Sequence, residues 1–165
     1  MKKNQKGFTL VELLAVIVIL AVIILIAVNA VLPQMNRARK NSFADEAMNY
    51  LKAAETKYVE GALNTTTEGS TVTIGVDTDL NGAYVSKTKG SYKGNITLTI
   101  ATTGDNAGNV TNKSINLTDC KKYMIVNGSG TIEGTDVQAY SASTWNAITG
   151  IEQCGSESTD EPTEP

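Results

Sequence analysis

From Leu13 to Val28 every residue is apolar, sixteen in a row. Counted from Phe8 to Leu32, the stretch is 25 residues long, and only Thr9, Glu12 and Asn29 are clearly polar. At 1.5 Å rise per residue this makes about 37 Å of helix, enough to cross a ~30 Å hydrocarbon core. No glycine or proline interrupts it before Pro33, so nothing breaks the helix earlier. Beyond Pro33 the pattern becomes amphipathic. Phe43, Ala47, Tyr50, Leu51, Ala54 and Tyr58 recur at steps of three and four and so share one face. Arg37, Lys40, Asp45, Lys52, Glu55 and Lys57 fall largely outside that stripe. Pro33 removes one helical hydrogen bond and predicts a bend. Gly61 predicts the C-terminal stop.

From Asn64 onward the pattern shortens to strand length. Thr71–Val76, Asn95–Ala101, Val110–Leu117, Lys121–Val126 and Gly130–Val137 are rich in Thr, Ile and Val with partial alternation. Turn formers separate them at Asn81-Gly82, Gly104-Asp105-Asn106 and Gly128-Ser129-Gly130. One long helix followed by strands predicts an α+β fold. An antiparallel sheet would lie over the amphipathic half of the helix. Tyr84, Tyr123, Trp145 and Ile148 are expected core contributors, with no role beyond packing.

Charge and cysteine content sharpen this picture. The net charge is −3, and loss of Met1–Gly7 with its three lysines would make it −6. An acidic chain without a basic patch argues against nucleic acid as a partner. Cys120 and Cys154 both follow the apolar segment. An even pair there fits one disulfide in an oxidising compartment, and two isolated thiols are the other reading. The last ten residues, Ser156–Pro165, hold four acids, two prolines and no apolar side chain; such a composition predicts a disordered tail.

Glu12 is the residue that asks for a function. A carboxylate within a membrane-length apolar helix costs on the order of 2.5–3.5 kcal/mol on insertion scales, and such groups are usually paired. No Lys or Arg lies one helical turn C-terminal to it. A cut just before Phe8 would create an α-ammonium, charged at neutral pH with a pKa near ~7.7–8.0. Glu12 of one copy would then pair with the Phe8 amine of a neighbour, offsetting the burial of both charges.

The stretch Lys6-Gly7-Phe8-Thr9-Leu10-Val11-Glu12-Leu13-Leu14 closely resembles the prepilin processing site of type IV pilins. The resemblance implies a leader, Met1–Gly7, cut after Gly7 by a membrane-bound prepilin peptidase. It implies N-methylation of Phe8 and a role for Glu12 in assembly. It further implies a transmembrane and filament-core helix over 8–33, an amphipathic half over 34–61, a β-rich head over 62–155 and the tail beyond. The subunit would sit once across the cell membrane and then pass, through an assembly platform, into an extracellular homopolymer. Adhesion, aggregation and twitching motility are the tasks such filaments serve. The chain departs from the family in one respect. Many members carry a proline in the middle of the apolar run, where this chain has Asn29.

Other chemistries find little support. Without histidine there is no His-based triad or His metal site. Neither a G-x-S-x-G elbow nor a Walker A loop occurs, and Gly128 through Gly134 lacks dinucleotide spacing. No enzyme activity and no cofactor are expected. Asp77-Thr78-Asp79-Leu80-Asn81-Gly82 fits the opening of a calcium loop, which makes Asp77, Asp79 and Asn81 weak candidate ligands. The later bidentate Glu is missing, Thr88 standing there, and a hairpin turn explains the same residues. Six Asn-x-Ser/Thr triplets follow from a chain rich in Asn and Thr and are not read as sites. An ordinary signal peptide cut after Ala30 is the rival account of the N-terminus, but its apolar region would exceed the usual ~7–15 residues. The rival functions are a minor pilin or secretion pseudopilin, and a monomeric ligand-binding β-domain.

Overall fold

The computed structural model describes residues 9–64, 71–80, 82, 84–85, 92–105, 107–151 and 153–154. Expectations for Gly7, Phe8, Asn81 and the tail fall outside these residues. The chain divides into two compact units, one ending at Arg39 and the other beginning at Lys40.

The first unit is helical. Helix α1 (Leu10–Asn64) begins here and continues through Pro33. Every described residue up to Arg39 is exposed.

The second unit holds the rest of α1 and an antiparallel sheet. Strands β1 (Thr71–Gly75), β2 (Lys93–Ile100), β3 (Val110–Thr118), β4 (Tyr123–Ser129) and β5 (Gln138–Ala139) lie in sequence order across it. A turn of π-helix (Val76–Leu80) follows β1, and α2 (Ala142–Asn146) follows β5. The α+β, pilin-like architecture is the one the sequence pattern predicts.

The stripe on α1 forms one wall of the core: Phe43, Ala47, Tyr50, Leu51, Ala54 and Tyr58 are all buried. Opposite them stand Ile96, Leu98 and Ile100 of β2, Ile115 and Leu117 of β3, and Ile125 of β4. Alternation along β2 places each second side chain inward. The register pairs Ile96 with Ile115 across β2 and β3, so apolar partners stack on the same face. The Phe43 ring packs 5.8 Å, between centroids, from the rings of Tyr92 and of Tyr123, and Tyr50 meets Tyr92 at the same distance. Trp145 is fully buried, while Tyr84, Tyr123 and Ile148 are half-buried. Gly94 has φ +147°, and the Asn116 carbonyl occupies the place a Cβ would take. Only glycine lets β2 and β3 approach this closely.

Three expectations need correction. Residues 130–137 do not form a strand. Gly130 has φ +68°, and Glu133 and Asp136 close a tight turn through Glu133 N–H to Asp136 Oδ2 at 2.8 Å. Ile132 and Val137 are buried as isolated pins, and pairing resumes only at Gln138 and Ala139. Lys121 and Lys122 belong to a turn, not to β4. Asp119 Oδ1 accepts the N–H groups of Lys121, Lys122 and Tyr123, and Cys120 takes a left-handed φ of 58°. Gly61 does not stop α1, which ends three residues later. Its φ is not positive, so it supplies no left-handed cap.

Polar links fix strand β3 and the segment after β1 to the helix. Lys113 pairs with Glu55 at 2.8 Å, Lys57 with Asp79 at 3.0 Å, and Tyr84 donates to Glu60 at 2.6 Å. The Gly75 N–H, and then Lys57, hold the Asp79 carboxyl below its ordinary range. The Tyr50 hydroxyl is pushed well above 10 by burial first, then by Glu46, Tyr92 and Asp77. Burial also raises Tyr92, helped by Glu46 and Asp119. A raised folded-state pKa means that the unfolded chain ionises first. The tyrosine contribution is therefore complete below pH ~10 and is lost as pH rises beyond it. Thermal melts of the chain in detergent should show the midpoint falling above that pH, and Tyr50→Phe should flatten the fall. An unchanged slope in Tyr50→Phe would assign the alkaline loss elsewhere.

Candidate assembly site on the apolar helix

Along α1 from Leu10 to Leu32 the large apolar side chains keep between 45 % (Val28) and 81 % (Leu10) of their surface exposed. Burying each fully is worth about 1.5–3 kcal/mol. Contiguous exposed apolar surface beyond a few hundred Å² marks an interaction or membrane surface. The helix is long and apolar enough to cross a membrane by length and composition. The sequence places no Lys, Arg, Asp or Glu between Glu12 and Arg37.

Glu12 lies in the first turn of α1. Its Oε2 accepts the Thr9 N–H and the Thr9 hydroxyl, both at 2.9 Å. The Glu12 N–H in turn donates to Thr9 Oγ1 at 3.3 Å. This is a capping box: threonine at the N-cap and glutamate three residues on satisfy each other's orphan donors. The carboxylate is thus drawn toward the helix N-terminus, where the helix dipole favours negative charge. Both Thr9 bonds go to one oxygen, and among the described residues Oε1 is left for a further donor. Thr9 is a further residue of the candidate site, one to which polarity alone assigns no role. Its signal was present in the spacing Thr9-x-x-Glu12, directly before an apolar run.

Asn29 is the other polar group within the run. Its side-chain amide donates to the Leu25 carbonyl at 3.4 Å, a bond back along its own helix. Pro33 has no N–H to donate to the Asn29 carbonyl four residues earlier.

The remaining predicted residues lie in the second unit. Cys120 and Cys154 form a disulfide, with Cα atoms 5.5 Å apart. It ties the β3–β4 turn to the segment after α2. Asp77 is buried and pairs with Lys93 at 3.3 Å, while Asp79 pairs with Lys57. The two carboxylates of the calcium-like stretch are each committed to a different lysine. Among the described residues no group of three or more Cys, Asp or Glu side chains is gathered to hold a metal ion.

No curated protein and no solved structure matches the chain. Residues 2–28 match the family model described as the prokaryotic N-terminal methylation motif. That motif covers the basic start, Gly7, Phe8, Thr9, Glu12 and the apolar run, and it supports a precursor of the type IV pilin or pseudopilin kind.

Proposed function

We propose that the chain is a structural subunit of an extracellular type IV filament. A prepilin peptidase removes Met1–Gly7, Phe8 is N-methylated, and Phe8–Leu32 then packs against the same segment of neighbouring copies. The exposed apolar length of α1, headed by the Thr9–Glu12 box, carries this reading. Such a surface is stable in lipid before assembly and in a filament core afterwards. Inside the core, the free Oε1 of Glu12 receives the Phe8 ammonium of a neighbour. This sets the axial stagger and compensates two buried charges. The head, held by its sheet and disulfide, lies on the filament exterior and carries the contacts for adhesion, aggregation or twitching motility.

Deleting the prepilin peptidase of the host cell tests this. The chain should then remain in the membrane at full length, with no fibres containing it in the sheared fraction. Unchanged fibres would contradict the proposal. A minor pilin or secretion pseudopilin shares the same N-terminal machinery, and the subunit composition of sheared fibres separates these from a major pilin.

A further inference from the structure

Arg37 and Arg39 lie just past the apolar run. Both are exposed. Among the described residues neither has an ion-pair or hydrogen-bond partner. No acidic residue occurs in the sequence between Glu12 and Asp45, so nothing nearby on the helix neutralises them. At 1.5 Å per residue they stand about 7 and 10 Å beyond Leu32. The polar layer of a bilayer occupies roughly 5–7 Å on each side of the hydrocarbon, and an arginine side chain can bend back to reach it. Their spacing of two residues places them about 200° apart around the helix axis. A single protein neighbour would meet only one of the two, whereas a lipid leaflet surrounds the helix and reaches both.

We propose that Arg37 and Arg39 bind anionic phospholipid headgroups at the C-terminal end of the apolar span, before the subunit enters a filament. The proposal rests on the reading that Leu10–Leu32 crosses a membrane. Each guanidinium offers a fork of N–H donors matched to a phosphate. Close to an anionic surface a basic residue gains about 5-fold in affinity. The two arginines thereby fix the depth of the helix in the leaflet and gather acidic lipid around the waiting subunit.

The test reconstitutes the full chain in phosphatidylcholine vesicles containing spin-labelled phosphatidylglycerol or spin-labelled phosphatidylcholine. Protease protection of the apolar segment first shows whether it is embedded. The expected result is a several-fold excess of immobilised phosphatidylglycerol over phosphatidylcholine at low salt. The excess should fall to near parity in R37Q/R39Q, be retained in part in R37K/R39K, which keeps the charge without the fork, and shrink as salt is added. An embedded helix with no lipid preference, or the same preference in R37Q/R39Q, overturns the proposal. So does a variant that loses fibres with its lipid preference intact, which would assign the arginines to a neighbouring subunit. A segment left unprotected by the bilayer overturns the membrane reading, and this proposal with it.

Discussion

Glu12→Ala should cut the yield of surface fibres at least about tenfold while leaving the head folded. Removing one partner of a buried ion pair costs about 3–5 kcal/mol, because the other charge stays buried alone. The same change makes insertion into lipid easier, since a charged side chain in the span costs about 2.5–3.5 kcal/mol. Better insertion with worse assembly is the signature expected of a residue that acts only between subunits. Glu12 also closes the capping box with Thr9, and loss of such a cap costs about 0.5–2 kcal/mol. Two further variants separate the roles. Glu12→Gln keeps hydrogen-bonding capacity but not charge, so it should fail like Glu12→Ala. Thr9→Ala breaks the box and keeps the charge, so it should assemble with a milder loss. Fibre yield is read by shearing and electron microscopy, and head folding by circular dichroism. Normal fibres from Glu12→Ala would remove Glu12 from assembly.

The second large effect is expected at the disulfide. Cys120 and Cys154 are 34 positions apart, and a loop of that size contributes about 3–4 kcal/mol by restricting the unfolded chain. Against a total stability of about 5–15 kcal/mol, that is a large share. The double change Cys120→Ser with Cys154→Ser should lower the thermal midpoint of the head by about 10–20 °C. The bond also anchors the segment following Trp145, which is fully buried. Protease cleavage after α2 should therefore appear first. Reductant should lower the midpoint of the native chain as the double substitution does, and leave the double variant unchanged. A shift below about 3 °C would mean that the head holds its C-terminal segment without the bond.

The helix and the first two strands were clearly legible, because each repeats a period; β3, whose last four residues are all buried, alternates in sequence only at Ile115 and Leu117. The stripe from Phe43 to Tyr58 follows 3.6 residues per turn, and all six of its positions are buried. In β2, Ile96, Leu98 and Ile100 alternate with Asn95, Thr97 and Thr99, a plain two-residue period. Where side chains make local contacts instead of a period, pattern failed. Asp119 gathers three N–H groups and turns Lys121 and Lys122 out of a strand. Ile132 and Val137 are apolar and buried, yet the backbone between them curls through the Glu133–Asp136 turn. Helix α2 went unseen because it is short. Its start is set by Ser141, whose hydroxyl accepts the Thr144 N–H. Within the candidate assembly site the carboxylate was legible from its cost in an apolar helix. Its tether to Thr9 was written in the same nine residues. The fates of Asp77 and Asp79 were not legible, since Lys93 and Lys57 reach them only through the fold.

On the proposed reading, filament entry depends on processing after Gly7, because that cut creates the amine that Glu12 receives. Mass spectrometry of the N-terminal peptide, from fibres sheared off the cell surface, tests it most directly. The predicted result is a chain beginning at Phe8 with one added methyl group on its amine. A chain beginning at Val31 would contradict the account. It would mean a cleaved signal peptide and a secreted head, with the apolar helix and Glu12 discarded before any filament could form.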